Sequence, residues 1–532
     1  MLVATESRSP GPFVLGLDFG TESCRAALID ATGTIHAAAA STYATRYPRS
    51  GWAEQDPRDW WAAASLATRR ALQEGGVPPG AVVGLACDAT SLTLVAADRD
   101  GAPLRPAIMW MDVRAVDQAH RADELDADAR RCSGGGTMPA SAEWYPFKAA
   151  WLKENEPEVY RAAAYLVDAT DWITYRLTGR WTTNINSAAH RMYYDRDRGG
   201  WPVDLYEAVG VGDVFAKLPD QVLDLGVQVG ALTAVAAEHL GLVPGLPVAA
   251  GAIDAWAGQV GLNALRPGRM ALITGSSHVF TGLTDRPVTG PGFLGAFTDS
   301  VLPGSYTVEG GQSSTGSVLK WFKDNFARDV VAEADRSGQN AYDLLTERAR
   351  ALPPGADGVV VNEYFQGNRT PYCDGKARGM IWGLSLHHGP EHVYRAIQEG
   401  VCYGTEHIRR VIAAAGHQID EIVACGGVSR SRPWMQMHAD VLGVPITLTR
   451  VGEATVLGAG ILAATGAGLF DTVPQAAEAM VHPAETIEPD TERHEQYRFF
   501  VDRYIEAFPQ MRESMHALAA HIGSAEHPAP SD

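Results

Sequence analysis

Three short runs in this sequence set carboxylates, small hydroxyls and glycines at spacings that suit phosphate chemistry. The first is Asp18-Phe-Gly20-Thr21-Glu-Ser23, at the end of the apolar segment 13–18. A glycine–hydroxyl turn can aim several backbone N–H groups at one anion. A carboxylate beside it repels phosphate unless a divalent cation lies between them, so the run suggests Mg²⁺-bound nucleotide with Asp18 near the metal. An ordinary hairpin with an exposed Asp would carry the same letters. Thr274-Gly275-Ser276 repeats the plan far downstream, with 269–274 leading in and 278–281 leading out. Paired, the two hairpins read as a structural duplication, two domains gripping a polyphosphate between them; two unrelated hairpins are the alternative. No G-x-x-x-x-G-K-[ST] occurs, so this is not a P-loop.

The second run, Ala250-Gly-Ala-Ile-Asp254, lets backbone approach closely and puts one carboxylate at the end of an apolar stretch. Phosphoryl transfer to an alcohol needs a base for the hydroxyl proton, together with positioning and charge neutralisation. Asp254 suits the base, and a helix N-cap is the compatible bland reading. The third, Gly426-Gly427-Val-Ser429, would let a flat ring lie against bare backbone, which suggests an adenosine site or else a plain tight turn. Glu309-Gly310-Gly311-Gln312 precedes a helix read over 312–326, whose N-terminus could face phosphate.

Positioning these residues takes alternating strands and helices. Segments 13–18, 24–30, 82–86, 92–96, 358–362 and 421–424 read as strands. Segments 57–73, 145–153, 157–164, 172–177, 391–415, 432–442 and 453–467 read as helices. Such alternation implies α/β layers. The junction falls at 261–268, which divides the chain into domains over 13–262 and 268–470 and a helical extension over 471–532. In the extension, Tyr497, Val501, Tyr504, Phe508, Met511, Met515, Leu518 and Ile522 form a helical stripe. Pro509 is expected to kink or split it, and the polar end, 523–532, is expected to fray.

Composition narrows the class. Of 532 residues, 46% are hydrophobic and 20% charged, which excludes a wholly disordered chain. The net charge of −19 argues against nucleic acid or an anionic membrane surface as the main partner. The six cysteines form no CxxC pair and are expected to be reduced thiols of a cytoplasmic protein. Residues 1–12 show no leader, and prolines and Asp254 break the apolar stretch 240–262. The sixteen histidines have no metal spacing, and His387-His388 reads as a surface turn.

Taken together the motifs resemble the FGGY carbohydrate kinases of the actin-like ATPase superfamily. The matching blocks occur in family order at 15–30, 51–61, 106–115, 168–180, 250–258, 273–277, 309–316, 367–386 and 424–446. Runs 141–148, 168–191 and 309–314 are most similar to the ribulokinase branch. The resemblance implies an α/β fold of two actin-like (ribonuclease H-like) domains around an interdomain cleft, with sugar mainly on the first and ATP mainly on the second. It gives Asp254 the role of general base and Asp18 that of the carboxylate near Mg²⁺. Gly20 and Thr21 match the first phosphate hairpin and Thr274, Gly275 and Ser276 the second. Gly310 and Gly311 match a further phosphate turn, and Gly426, Gly427 and Ser429 the adenosine motif. Sugar contacts are expected from Ser91, Trp110, Asp112, Arg191, Asp254 and Glu309.

Several of these positions keep other readings. Trp110 could be a core wall, Asp112 and Arg114 a structural ion pair, and Trp144 and Lys148 helix packing with a solvated amine. Two departures matter for the acceptor. L-arabinose-pathway ribulokinases usually carry Lys where Arg191 aligns and Ala where Ser91 aligns. The resemblance thus implies an ATP- and Mg²⁺-dependent kinase for the terminal hydroxyl of ribulose, with D-ribulose slightly favoured over L-ribulose. Ribitol, xylitol, erythritol and xylulose are alternative acceptors, and a non-catalytic nucleotide sensor is a distant alternative. A homodimer fits the family.

Overall fold

The structure is a computed structural model that describes residues 11–526. Residues 1–10 and 527–532, on which the leader and part of the fraying expectation rest, lie outside it. Two seven-stranded sheets carry the two halves. In the first, Phe13–Phe19, Ser23–Asp30 and Ile35–Thr42 form an antiparallel meander, and Val82–Ala89 lies parallel beside Phe13–Phe19. In the second, Arg269–Thr274, His278–Thr284 and Tyr306–Gln312 repeat the meander, and Glu421–Gly426 lies parallel beside Arg269–Thr274. The inner strands are buried almost throughout, as expected of parallel strands covered on both faces. The registers correspond as well: Asp18 faces Asp88 where Thr274 faces Gly426.

The halves meet through the helices Asp254–Gly261 and Ala454–Gly466. A Cβ on Gly261 would lie 1.9 Å from the Ala454 carbonyl oxygen, and one on Gly458 would lie 1.8 Å from that of Ala257. These two backbones touch, and only glycine permits it. The turn that ends Ala252–Ile253 and the helix beginning at Asp254 are thereby fixed against both halves.

Three expectations are corrected. Residues 309–312 do not open a helix: they end the strand Tyr306–Gln312, paired on both sides, and the helix starts only at Gly316. Pro509 does not split the last helix, which runs unbroken over Thr491–Glu526. The Ile505 carbonyl that loses the proline's N–H accepts a hydrogen bond from the Tyr372 hydroxyl at 3.4 Å. The stripe buries Tyr497, Val501, Tyr504, Phe508 and Met515 against the second half, while Met511, Leu518 and Ile522 are exposed. All six cysteines are free. Among the described residues no helix is long and apolar enough to cross a membrane.

Candidate active site

A cavity of about 320 Å³ opens between the halves, within the size range of small-ligand pockets. Its walls include Ser91, Trp110, Arg191 and Asp254 from the first half, and Thr274, Gly275, Ser276 and Glu309 from the second. Asp254 is the first residue of its helix, not the cap, which is Ile253. Its carboxylate accepts the Ala255 N–H at 2.7 Å. Burial, then the charge of Asp18, pushes its pKa up to about 7, against the pull of that hydrogen bond.

Behind Asp254 stands a residue that sequence reasoning passed over. Asp88 is completely buried, and no N–H or hydroxyl among the described residues donates to either of its oxygens. The strand Val82–Ala89 sets it opposite Asp18, and Ala252–Ile253 pairs alongside. Burial and the charges of Asp18 and Asp254 push its pKa well above the carboxylate range. Asp88 faces Asp18, whose own pKa burial also raises. Arg25 lies 3.9 Å from Asp18. Two buried, otherwise unsatisfied oxygens next to a second carboxylate form a donor set that suits a hard divalent cation. The signal was in the sequence, where Asp88 ends a strand just as Asp18 does, but the pairing is tertiary.

On the sugar side, Arg191 crosses the cleft. Its Nη2 donates to both oxygens of Glu309 at 3.0 and 3.1 Å, and its Nε donates to Ser91 Oγ at 3.1 Å. The guanidinium sits 5.2 Å from the Trp256 ring and 5.6 Å from that of Trp144. Trp110 Nε1 donates to Thr21 Oγ1 at 3.2 Å, which ties the cavity wall to the first hairpin. Lys148 is not a solvated amine. It is fully buried and donates to the carbonyls of Leu92 and Met109 at 3.0 and 2.8 Å, holding the loops that carry Ser91 and Trp110. Burial lowers its pKa to about 8.

Other expected positions fall elsewhere. Asp112 is removed from the sugar contacts: it is fully buried, accepts from Arg114 Nε and Nη2 at 2.9 and 2.7 Å and from the Ala53 amide, and does not reach the cavity. Gly310 and Gly311 are removed as a phosphate turn, because both are buried inside a strand. Gly311 exchanges hydrogen bonds with Thr370 Oγ1, and a Cβ on Gly310 would strike Ile408 at 2.3 Å. A Cβ on Gly311 would lie 2.8 Å from the His278 carbonyl oxygen, with Arg369 Cδ beyond it at 3.4 Å. Arg369 lines the cavity and forms no hydrogen bond or ion pair among the described residues, a cleft cation that sequence reading missed.

Thr274 knits the second hairpin to the glycine turn. Its Oγ1 donates to the Cys425 carbonyl at 2.6 Å, and its own carbonyl accepts the Gly427 N–H at 3.2 Å. Gly426 has φ +96°, and a Cβ there would meet the Thr274 carbonyl at 1.9 Å. Gly427 has open space around it. Ser429 Oγ donates back to the Gly426 carbonyl at 2.8 Å. Gly20 closes the first hairpin through its N–H to the Ser23 carbonyl, and Thr21 lies at its tip. Asp18, Gly20, Thr21 and the 426–429 turn adjoin the cavity without forming its wall.

A duplicated, actin-like pair of domains with a carboxylate at the floor and two hairpins at the rim defines a phosphotransferase of the ribonuclease H-like class. The chain belongs to the FGGY family of carbohydrate kinases: the family's N-terminal domain matches residues 13–261 and its C-terminal domain residues 270–467. It is a sugar kinase, acting on a sugar and on ATP. An FGGY carbohydrate kinase domain-containing protein of Xenopus laevis is 32% identical over 96% of this chain and 98% of its own. A ribulokinase of Geobacillus thermodenitrificans is 30% identical over 88% and 89%. The crystal structure of a xylulose kinase from Rhodospirillum rubrum superposes with a TM-score of 0.83 at 30% identity, covering 95% of this chain and all of that one.

Proposed function

We propose that the protein phosphorylates the terminal hydroxyl of ribulose, D-ribulose ahead of L-ribulose, at the expense of Mg²⁺-ATP. The carrying observation is the placement of Asp254 in one cavity with Arg191, Ser91 and Glu309 on one side and Thr274, Gly275 and Ser276 on the other. With its pKa near 7, Asp254 is deprotonated in a large share of molecules at neutral pH and basic enough to take the hydroxyl proton as the new bond to phosphorus forms. The 274–276 hairpin lies beside the transferred phosphoryl group, its Thr274 hydroxyl tied to the Cys425 carbonyl and its Gly275 N–H to that of Ser277, and Arg369 adds an unpaired cation to the same cavity. Asp18 and Asp88 would hold the Mg²⁺ that arrives with ATP, whose chemistry is charge neutralisation on the phosphates. The 426–427 turn receives adenosine. The cross-cleft pair of Arg191 and Glu309 forms only when the halves are close, so closure assembles the sugar site and excludes water together.

Ribulose is favoured by the ribulokinase relatives, and the Ser91 to Arg191 hydrogen bond defines what differs from them. Xylulose is the second reading, favoured by the 30% identity to a protein described as a xylulose kinase. A non-catalytic sensor is disfavoured because Asp254, both hairpins and the glycine turn are all intact. ADP release measured over ketopentoses, ketohexoses and polyols with Mg²⁺-ATP tests the assignment. The expected result is a kcat/KM for D-ribulose above every other acceptor, and a higher value for xylulose or a pentitol overturns it.

A further inference from the structure

Away from the cleft, the fold gathers one carboxylate and three imidazoles that neighbour one another only in three dimensions. Asp357 lies in the turn Ala356–Gly358 at φ 53°. His387 and His388 close the turn before the helix Pro390–Ala414, and His392 stands in that helix's first turn. Asp357 Oδ2 is 3.4 Å from His392 Nε2 and 3.8 Å from His387 Nε2, and these three atoms all lie within 4.8 Å of one another. Those separations are long for hydrogen bonds, whose N···O distances run about 2.7–3.2 Å. They match the edge of a tetrahedron around Zn²⁺, about 3.4 Å for metal–ligand bonds of about 2.0–2.2 Å.

A second observation points into the same space. His392 is 5% exposed, and its Nε2 has no hydrogen-bond partner. A buried ring nitrogen left unpaired is costly, and such groups call for a specific explanation. We infer that Asp357, His387 and His392 form a Zn²⁺ site, completed by water, that fastens the 355–358 turn to the N-terminus of the long helix.

Proton bookkeeping around His392 is compatible with this. Without metal, Nδ1 accepts the Gly389 N–H at 3.0 Å, so the ring's proton sits on Nε2. Binding uses the Nε2 lone pair, moves the ring proton to Nδ1 and gives up the bond from the Gly389 N–H, with Glu391 Oε1, 3.5 Å away, the nearest carboxylate to that proton. His388 is not a ligand. Its Nδ1 accepts the Ser385 N–H at 2.8 Å and its Nε2–H donates to the Asp357 carbonyl at 3.2 Å, which holds the turn in place. Two imidazole nitrogens in three protein ligands select zinc over the Mg²⁺ of the kinase reaction.

The test is calorimetric titration of the full, untagged chain with ZnCl₂. One equivalent is expected to bind saturably and to raise the melting temperature. His387→Ala removes an exposed ring, 74% accessible on its side chain, so folding is not at issue. His387→Ala and Asp357→Asn are each expected to weaken zinc affinity at least tenfold, and Glu391→Gln is expected to weaken it by a smaller factor. The Mg²⁺-ATP kinase rate of His387→Ala should equal the parent's. X-ray absorption at the zinc edge should return only N and O ligands at about 2.0–2.2 Å. No saturable one-equivalent binding, parent-like affinity in both variants, or sulfur at about 2.3 Å overturns the inference. Since neither the titration nor the absorption edge involves the cleft, failure here and failure of the sugar assignment are read separately.

Discussion

The two halves place the same strand end, beside the same parallel neighbour, and give it opposite chemistry. In the first half the facing residues are Asp18 and Asp88, two acids whose pKa values burial raises. In the second they are Thr274 and Gly426, a hydroxyl and a residue with no side chain. An anion is repelled by the first arrangement and can approach bare backbone at the second. Duplication of one fold thus sets a cluster of buried acids against a glycine–hydroxyl hairpin, and in the proposed reading transfer occurs where the two meet, at Asp254.

The contrast breaks first at Asp254. Asp254→Asn removes the base and is expected to lower turnover about 10²–10⁴-fold while ATP affinity, which belongs to the other half, holds. Turnover like the parent's on the best sugar would remove the residue from catalysis. The next test separates structure from site. Asp112→Asn leaves the buried Arg114 with Glu54, 2.8 Å away, as its remaining carboxylate, and a loss of about 1.5–3 kcal/mol in unfolding free energy is expected, with sugar KM unchanged in the folded fraction. A raised KM with normal stability would return Asp112 to the sugar pocket.

On the phosphate side, Gly426 and Gly427 should respond differently. Gly426→Ala puts a Cβ 1.9 Å from the Thr274 carbonyl at a positive φ, so it should lower the melting temperature. Gly427→Ala meets nothing within 4 Å, so the melting temperature should stay and the KM for ATP should rise, by about tenfold for 1.4 kcal/mol of lost ring contact. An unchanged KM in Gly427→Ala would move adenosine elsewhere. A smaller effect is expected at the cross-cleft pair. Arg191→Lys keeps the charge but loses the Nε bond to Ser91 and the planar group whose Nη2 reaches both Glu309 oxygens, so the ranking of pentuloses and polyols should shift by a few-fold in kcat/KM. An unchanged ranking would leave Arg191 a closure contact only.

Local signals carried much of this architecture. The two glycine–hydroxyl hairpins lie where their letters say, and the paired sheets bear out the duplication inferred from them. What failed was whatever depends on partners distant in sequence. Glu-Gly-Gly-Gln reads as a helix entrance, yet pairing with residues 278–281 draws it into a strand, and its second glycine packs against the His278 carbonyl. Pro509 reads as a break, but Tyr372 supplies a donor to the carbonyl that proline strands. Asp88 went unnoticed because an acid at a strand end is ordinary until a second one is laid beside it.

The pH response gives the finest test of the contrast, because the first half clusters three acids, Asp18, Asp88 and Asp254, with the charge of Asp18 raising the other two, while the second half's Glu363, also raised to about 7, is held by Gln312 and Tyr504. Asp254 has a pKa of about 7 in the folded chain against 3.8 for an unperturbed aspartate, so between those values the folded state holds a proton that the unfolded state has released. Stability contributed at this site is therefore present at low pH and falls as pH rises toward 7. Over the same interval the base form appears, so kcat/KM should climb with a midpoint near 7 as stability declines. Asp18→Asn removes one of the charges that raise Asp254 and should move that acid limb to lower pH. Melting temperatures at pH 5 and 7.5 should converge in Asp254→Asn relative to the parent, since the substituted amide has no proton to lose. If parent and variant show the same pH dependence of melting and the acid limb stays fixed in Asp18→Asn, the two carboxylates do not share one electrostatic environment, and the division of labour between the halves would have to be redrawn around Asp88 alone.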